Sequence, residues 1–239
     1  MFWRIKYSIL KIDYLLAQVL LNLQSRFSTS LVEYVKNLKF SNEFPIVSGK
    51  LEIPDNESKH FKDCLDDSNM SIIRGGISTD LTRVIKLETD QFQTIDQVKN
   101  NLKEYLETHY GASYKTFAVL VRNYNFDERF ETAEIYSNRW HLDIDFGSRQ
   151  LKVFVLLHDV NTDDGPFLYL TRNDTKTNWQ QLVDRFSHKS FASTFNFDNQ
   201  NSLEGAKGEY LAINTSRCAH RASIPKHYRD VRCITFTTI

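Results

Sequence analysis

Apolar residues follow two different spacings along the chain. Residues 5–40 carry them at helical spacing. The clearest run consists of Ile9, Ile12, Leu15, Leu16, Val19 and Leu23. The segment QTIDQVKNNLKEYLETHYG, residues 93–111, also predicts a helix, which Thr94 or Asp96 could cap. From Tyr114 onward the pattern changes to short runs of β-branched and aromatic residues, which are typical of strands.

The strand candidates fill the second half of the chain. They are YKTFAVLVRNYN, LKVFVLLHDV, PFLYLTR, EYLAINTS and VRCITFTTI. The second has the nearly continuous apolar character of a strand covered on both faces. The pattern predicts a mostly β fold with α. One domain, residues 1–239, would contain an all-β sandwich or jelly roll over 111–239 and a helical or mixed extension over 1–110 packed on it.

The N-terminal segment raises the question of membrane association. Lys11 and Asp13 interrupt its apolar run, and the uncharged residues 14–25 are fewer than the roughly 20 that span a bilayer. We therefore expect no transmembrane segment, and an amphipathic helix packed on the domain. A membrane-surface helix or a dimer helix is the alternative, and the oligomeric state stays open.

Composition and charge narrow the choice of partners. The chain has 30 basic and 30 acidic residues, so we expect no nucleic-acid partner. Cys64, Cys218 and Cys233 form no CxxC pair, which favours a reducing, cytoplasmic location. Two of these cysteines flank His220, yet their apolar surroundings favour buried thiols over zinc ligands.

A metal-capable group lies just before the longest apolar run. In an extended chain, His141 and Asp143 point to one side about 7 Å apart. Asp145 shares that side, and spacing alone does not choose between the two aspartates. His220, at the end of another predicted strand, is the natural third ligand. Two histidines and one carboxylate can hold Fe(II) on one face, although a lone His-x-Asp is common by chance.

The surroundings of this group resemble a known family. WHLDIDFGSRQLKVFVLLHDVNTDDGPFLYL and GEYLAINTSRCAHRASIPKHYRDVRCITFTT resemble the phytanoyl-CoA dioxygenase-like branch of the Fe(II)/2-oxoglutarate-dependent oxygenases. The matching positions are Trp140, His141, Asp143, Leu151, Lys152, Phe154, Asp159, Val160, Gly165 and Pro166. The resemblance covers about residues 115–239 and depends on the order of the motifs.

The resemblance implies a double-stranded β-helix (jelly roll, cupin-like) with Fe(2+) held by His141, Asp143 and His220. It selects Asp143 over Asp145, which then neighbours the ligands or faces substrate. It also implies 2-oxoglutarate as cosubstrate and O2 as co-reactant. Succinate and CO2 would be released as a small-molecule or lipid-like substrate is hydroxylated. Related halogenases lack the carboxylate, so Asp143 favours oxygenation.

A cation must bind the distal carboxylate of 2-oxoglutarate, and arginine suits that role. We expect Arg232, which directly precedes an apolar strand as the family's arginine does, and Arg229 is the second candidate. Arg221 would point the other way. The strand before the metal motif carries Arg122, Asn123 and Tyr124, for each of which sheet packing is favoured over a place in the pocket.

Two other functions fit the same residues. One is a cupin-like metal protein without oxygenase chemistry, and the other is a catalytically silent interaction module. We expect the remaining histidines to be structural or solvated, namely His60, His109, His158, His188 and His227.

Overall fold

The computed structural model describes residues 46–67, 81–87, 92–110, 114–125, 138–143, 150–171, 174–175 and 197–237. The predicted helices within residues 5–40 lie outside these ranges, as do Asp145 and His188.

Antiparallel strands dominate the described part of the chain. The helices are α1 Asp55–Asp66, α2 Gln93–Asn101, α3 Lys103–Tyr110 and a 3-10 turn at Thr162–Asp164. The strands are β1 Val47–Lys50, β2 Thr82–Leu87, β3 Lys115–Tyr124, β4 Gln150–Leu156, β5 Phe167–Tyr169, β6 Asn201–Leu203, β7 Glu209–Ile213, β8 His220–Ala222 and β9 Tyr228–Thr237.

These strands form two sheets. The larger has the order β1-β7-β4-β9-β3-β2 and the smaller β6-β5-β8. An isolated antiparallel bridge joins His141 to His220 at the edge of the smaller sheet. This arrangement is a double-stranded β-helix, and the predicted mostly β fold with α is confirmed.

The two faces of the larger sheet pack against different layers. Leu151, Val153 and Val155 of β4 belong to a cluster that includes Phe61 of α1 and Ile95 of α2. Leu156 and the half-buried Phe154, at alternate positions, join residues of the smaller sheet in a second cluster. Alternate residues of a strand therefore point either outward to the helices or inward between the sheets. The same alternation decides below which side chains reach the candidate site.

The start of α2 is capped from another helix. The sequence predicted a cap from Thr94 or Asp96, but no side chain within α2 takes that role. Instead, the carboxylate of Glu57 in α1 accepts hydrogen bonds from the backbone N–H groups of Gln93 and Thr94. The Thr94 hydroxyl also donates to it at 2.9 Å. A tertiary contact thus supplies what a local cap usually provides.

Candidate metal centre

Three predicted residues meet at one point between the sheets. The candidate ligand atoms of His141, Asp143 and His220 all lie within 4.8 Å of one another. Reciprocal backbone hydrogen bonds of 3.0 Å between the two histidines hold the segments together. The Asp143 N–H donates to Thr215 O at 2.9 Å, which fixes the third member. Residues 79 positions apart in the sequence are thereby placed side by side.

In both histidines a hydrogen bond at Nδ1 orients the imidazole ring, so that Nε2 points towards the Asp143 carboxylate. His141 Nδ1 lies 2.7 Å from Arg139 O, and His220 Nδ1 lies 3.0 Å from Cys218 O. A carbonyl only accepts, so each Nδ1 carries the proton and each Nε2 keeps its lone pair. These Nε2 atoms lie 3.6 Å and 3.3 Å from the Asp143 carboxylate oxygens. Facing acceptors repel one another unless a cation lies among them.

The pKa values of His220 and Asp143 favour the forms of these two side chains that bind metals. Burial, with a smaller contribution from His141, lowers the pKa of His220 to about 4. Burial alone would raise the pKa of Asp143, but the Lys152 ammonium opposes it and the pKa lies well below its usual value. At neutral pH the imidazole of His220 is therefore neutral and Asp143 is ionised. Metal ligation requires these forms.

The donor set fits a divalent first-row transition metal. Two imidazoles and one carboxylate make a three-sided arrangement that suits Fe(II) and leaves positions open for other ligands. No thiolate belongs to this group, which is the one such cluster of three among the described residues.

Lys152 is a site residue whose role the sequence did not reveal. Its ammonium donates to Asp143 Oδ2 at 2.7 Å, and both side chains are largely buried. The residue lies on the inward face of β4, two positions before Phe154. The alternation along β4 is visible in the sequence, but it does not show which face points towards the metal-binding group, because both faces of the strand are covered.

Arg232, the preferred cosubstrate-binding candidate, lies on the other side of the sheet. Its guanidinium carbon is 4.6 Å and 4.7 Å from the ring centres of Phe61 and Phe92. Its Nη1 lies 3.7 Å from Glu57 Oε2. These groups belong to the helix layer, so the larger sheet separates Arg232 from His141, Asp143 and His220. The direction of its side chain therefore argues against the sequence-based preference for Arg232.

Arg229 lies on the inward face. It is three residues before Arg232 and therefore points the opposite way, like Val231, which packs between the sheets. The guanidinium is buried, and Nη1 donates to Gly165 O. Asn123 lies opposite Arg229 in the register of β3 and β9. Of the two predicted arginines, only Arg229 shares a face with the metal-binding group.

Arg122 and Arg221 point away from the metal-binding group. Arg122 points to the helix layer and binds Asp66 and Asp230 at 2.5 Å and 2.6 Å. Arg221 lies over the Trp140 ring at 5.7 Å, on the outer face of the smaller sheet. His158 accepts from the Asp230 N–H at 3.1 Å, which is a structural role as expected.

Several solved structures share this architecture. No family model and no curated protein matches the chain. HygX from Streptomyces hygroscopicus, with nickel and 2-oxoglutarate bound, is 12% identical, with a TM-score of 0.51 over 80% of this chain and 82% of that chain. The non-heme alpha ketoglutarate dependent epimerase SnoN from nogalamycin biosynthesis is 11% identical, with a TM-score of 0.56 over 80% and 78%. The carbocyclase SnoK from the same biosynthesis is 11% identical, with a TM-score of 0.51 over 89% and 84%.

These likenesses establish the fold. At such low identity they assign neither substrate nor reaction to this chain. Among the helices that the structure describes, none combines the length and apolar character needed to cross a membrane.

Proposed function

We propose that the protein is an Fe(II)- and 2-oxoglutarate-dependent dioxygenase that hydroxylates a small molecule. The observation that carries the proposal is the convergence of three acceptors, His141 Nε2, Asp143 and His220 Nε2, with both Nδ1 atoms already bound to carbonyls. The same three residues are those of the motif that resembles the phytanoyl-CoA dioxygenase-like branch.

Each residue has a defined part in this proposal. His141, Asp143 and His220 hold the iron, and Arg229 binds the distal carboxylate of 2-oxoglutarate through its guanidinium. Bound iron with 2-oxoglutarate and O2 supplies the oxidising power that hydroxylates a substrate C–H bond while succinate and CO2 leave. The protein orients the ligands and shields the pocket from water. Phe167 packs on the His220 ring at 5.4 Å between centres, and Phe154 on Phe167 at 4.2 Å.

The fold neighbours support the cofactor assignment without fixing the outcome. HygX is described with nickel and 2-oxoglutarate, whereas SnoN and SnoK are named as an epimerase and a carbocyclase. One scaffold thus hosts different reactions of the same cofactor pair. The three cysteines are buried thiols outside any disulfide, and we place the protein in the cytoplasm on that ground.

The test is conversion of 2-oxoglutarate to succinate by purified protein with Fe(II), in the presence and absence of chelator. We expect turnover in the wild type and its loss in His141→Ala and Asp143→Asn. His60→Ala is the matched control, because His60 is exposed on α1, away from the three ligands. Absence of both 2-oxoglutarate binding and turnover contradicts the proposal.

Two measurements address the alternatives. Stoichiometric zinc or manganese in the native protein, without turnover, would indicate a cupin-like metal protein. A biological role that survives His141→Ala would indicate an interaction module.

A further inference from the structure

A second group of polar side chains lies on the inward face of the larger sheet. Gln150 and Lys152 of β4 pair in register with Thr237 and Thr235 of β9. All four occupy the alternate positions that face the interior, as the contact of Lys152 with Asp143 shows directly. We name Gln150, Lys152, Thr235 and Thr237 the polar patch.

Two members of the polar patch are buried and have side-chain atoms without hydrogen-bond partners in the described part of the chain. Neither the amide nitrogen nor the amide oxygen of Gln150 has a partner among the described residues, and the side chain is 0% exposed. The same holds for the hydroxyl of Thr237, which is 5% exposed. A buried polar group without a partner destabilises the folded state, and most such groups in native proteins are satisfied. A role in ligand binding would account for buried polar side chains that have no hydrogen-bond partner within the protein.

The position of the patch separates it from the cosubstrate site. Lys152 contacts Asp143, so the patch borders the metal-binding group directly. Arg229 lies six residues before Thr235 on the same strand, which places their Cα atoms about 20 Å apart. A 2-oxoglutarate carboxylate that is bound by Arg229 therefore does not contact Thr235 or Thr237 of the polar patch.

We propose that the polar patch binds an anionic oxygen group, a carboxylate or a phosphate, of a small polar substrate. This inference rests on the proposed function, because it assigns the patch to the substrate of that same site. One ammonium, one amide and two hydroxyls offer several donors and a positive charge. Once a metal shares the Asp143 carboxylate, an anionic group compensates the Lys152 ammonium. A hydrocarbon tail would leave these donors buried and unsatisfied, so the patch selects against a lipid-like group.

The first experiment measures thermal unfolding of metal-free variants. We expect Thr237→Val and Gln150→Leu each to raise the melting temperature by a few degrees, because each removes an unsatisfied buried group. Thr82→Val is the matched control: the Thr82 hydroxyl is buried and donates to Asn123 at 2.9 Å, so its loss should lower the melting temperature. A decrease in both patch variants would show a structural role and overturn the proposal.

The second experiment detects a bound anion near the metal. Protein loaded with Mn2+ and saturating 2-oxoglutarate is mixed with butyrate, butyl phosphate or 1-butanol, and proton relaxation of each probe is measured by NMR. We expect Mn2+-enhanced relaxation for butyrate or butyl phosphate, and which of them responds identifies the anion. Binding should weaken about fivefold or more in Lys152→Gln and in Thr237→Val, and stay unchanged in Lys207→Met. Lys207 is a half-buried lysine that binds Ser58 instead.

The outcomes separate this inference from the proposed function. Equal binding of 1-butanol, no binding of either anion, or binding unaffected by the patch variants overturns the inference, even where 2-oxoglutarate is turned over. Anion binding that depends on the patch, in a protein that neither binds nor consumes 2-oxoglutarate, supports the patch and contradicts the dioxygenase.

Discussion

At the level of single residues, burial determines the charge of the candidate metal centre. His220 is 4% exposed, and its pKa lies near 4, so it enters the folded state as a neutral ligand. In the unfolded chain the same imidazole titrates near 6.5. The folded state thus binds fewer protons than the unfolded state between these two values.

This difference predicts an acid sensitivity of the metal-free protein. Stability rises with pH wherever the unfolded state binds more protons, so the free energy of unfolding should fall as pH drops from 6.5 towards 4. We expect a loss of about 2 kcal/mol from His220 between pH 7 and pH 5. Urea unfolding at both pH values measures it. Between the same two pH values, the free energy of unfolding of His220→Gln should fall by about 2 kcal/mol less than that of the wild type. An equal fall in both proteins would refute the explanation.

The two arginines of β9 predict opposite results for cosubstrate binding. Arg229 points inward and Arg232 packs on Phe61 and Phe92, so Arg229→Met should weaken 2-oxoglutarate binding by about 100-fold. Arg232→Met should leave it unchanged. Titration calorimetry with Mn2+-loaded protein provides the comparison. Weaker binding in Arg232→Met alone would restore the sequence-based choice.

At the level of secondary-structure elements, Arg122 connects the helix layer to the sheet. It lies on β3 and binds Asp66 at the end of α1 and Asp230 on β9. Its guanidinium also lies 4.7 Å from the centre of the Tyr228 ring. A single buried cation thus joins three elements, and the two carboxylates raise its pKa further.

Removal of this connection should destabilise the fold. Arg122→Met leaves Asp230 buried and without its cation, and we expect a loss of about 3 kcal/mol in the free energy of unfolding. Lys226→Met breaks the exposed pair with Asp163, and it should change the free energy of unfolding by less than about 0.5 kcal/mol. Chemical denaturation of both variants tests the contrast, and similar losses would argue against the role of burial.

At the level of the whole molecule, the candidate centre joins segments from both sheets. His141 and Asp143 precede β4, His220 opens β8 of the smaller sheet, and Lys152 reaches them from the larger sheet. A ligand bound at this centre contacts residues that lie close together only in the folded state. Folding and ligand binding are therefore linked.

This linkage predicts that Mn2+ and 2-oxoglutarate stabilise the protein. At 100 times the dissociation constant a ligand adds about 2.7 kcal/mol to the free energy of unfolding. We expect the melting temperature to rise with Mn2+ and to rise further with 2-oxoglutarate, and a chelator to reverse both. Asp143→Asn should abolish the increase, and an increase that persists in this variant would place the metal elsewhere.

Much of the fold and part of the candidate site could be predicted from the sequence. The apolar spacing identified β3, β4, β5, β7, β9 and the helical segment that begins at Gln93, but not the short strands β6 and β8. The His-x-Asp motif with His220 named the three residues that meet. The helix cap was missed because Glu57 lies 36 residues away from Gln93 and reaches it only through packing. Lys152 was missed and Arg229 was ranked second because the direction of each side chain depends on how the strands pair and pack in the folded protein.

The sequence by itself determined the strands β3, β4, β5, β7 and β9 and the side chains that carry metal-binding chemistry, since both depend on local composition and spacing. The tertiary structure alone decided which face of each strand points inward. The strands β4 and β9 are covered on both faces, so the alternation of their polar and apolar residues does not show which face points towards the smaller sheet. The register of β4 against β9 and the bridge between His141 and His220 set that direction. They place Lys152 and Arg229 inside and turn Arg232 towards the helices.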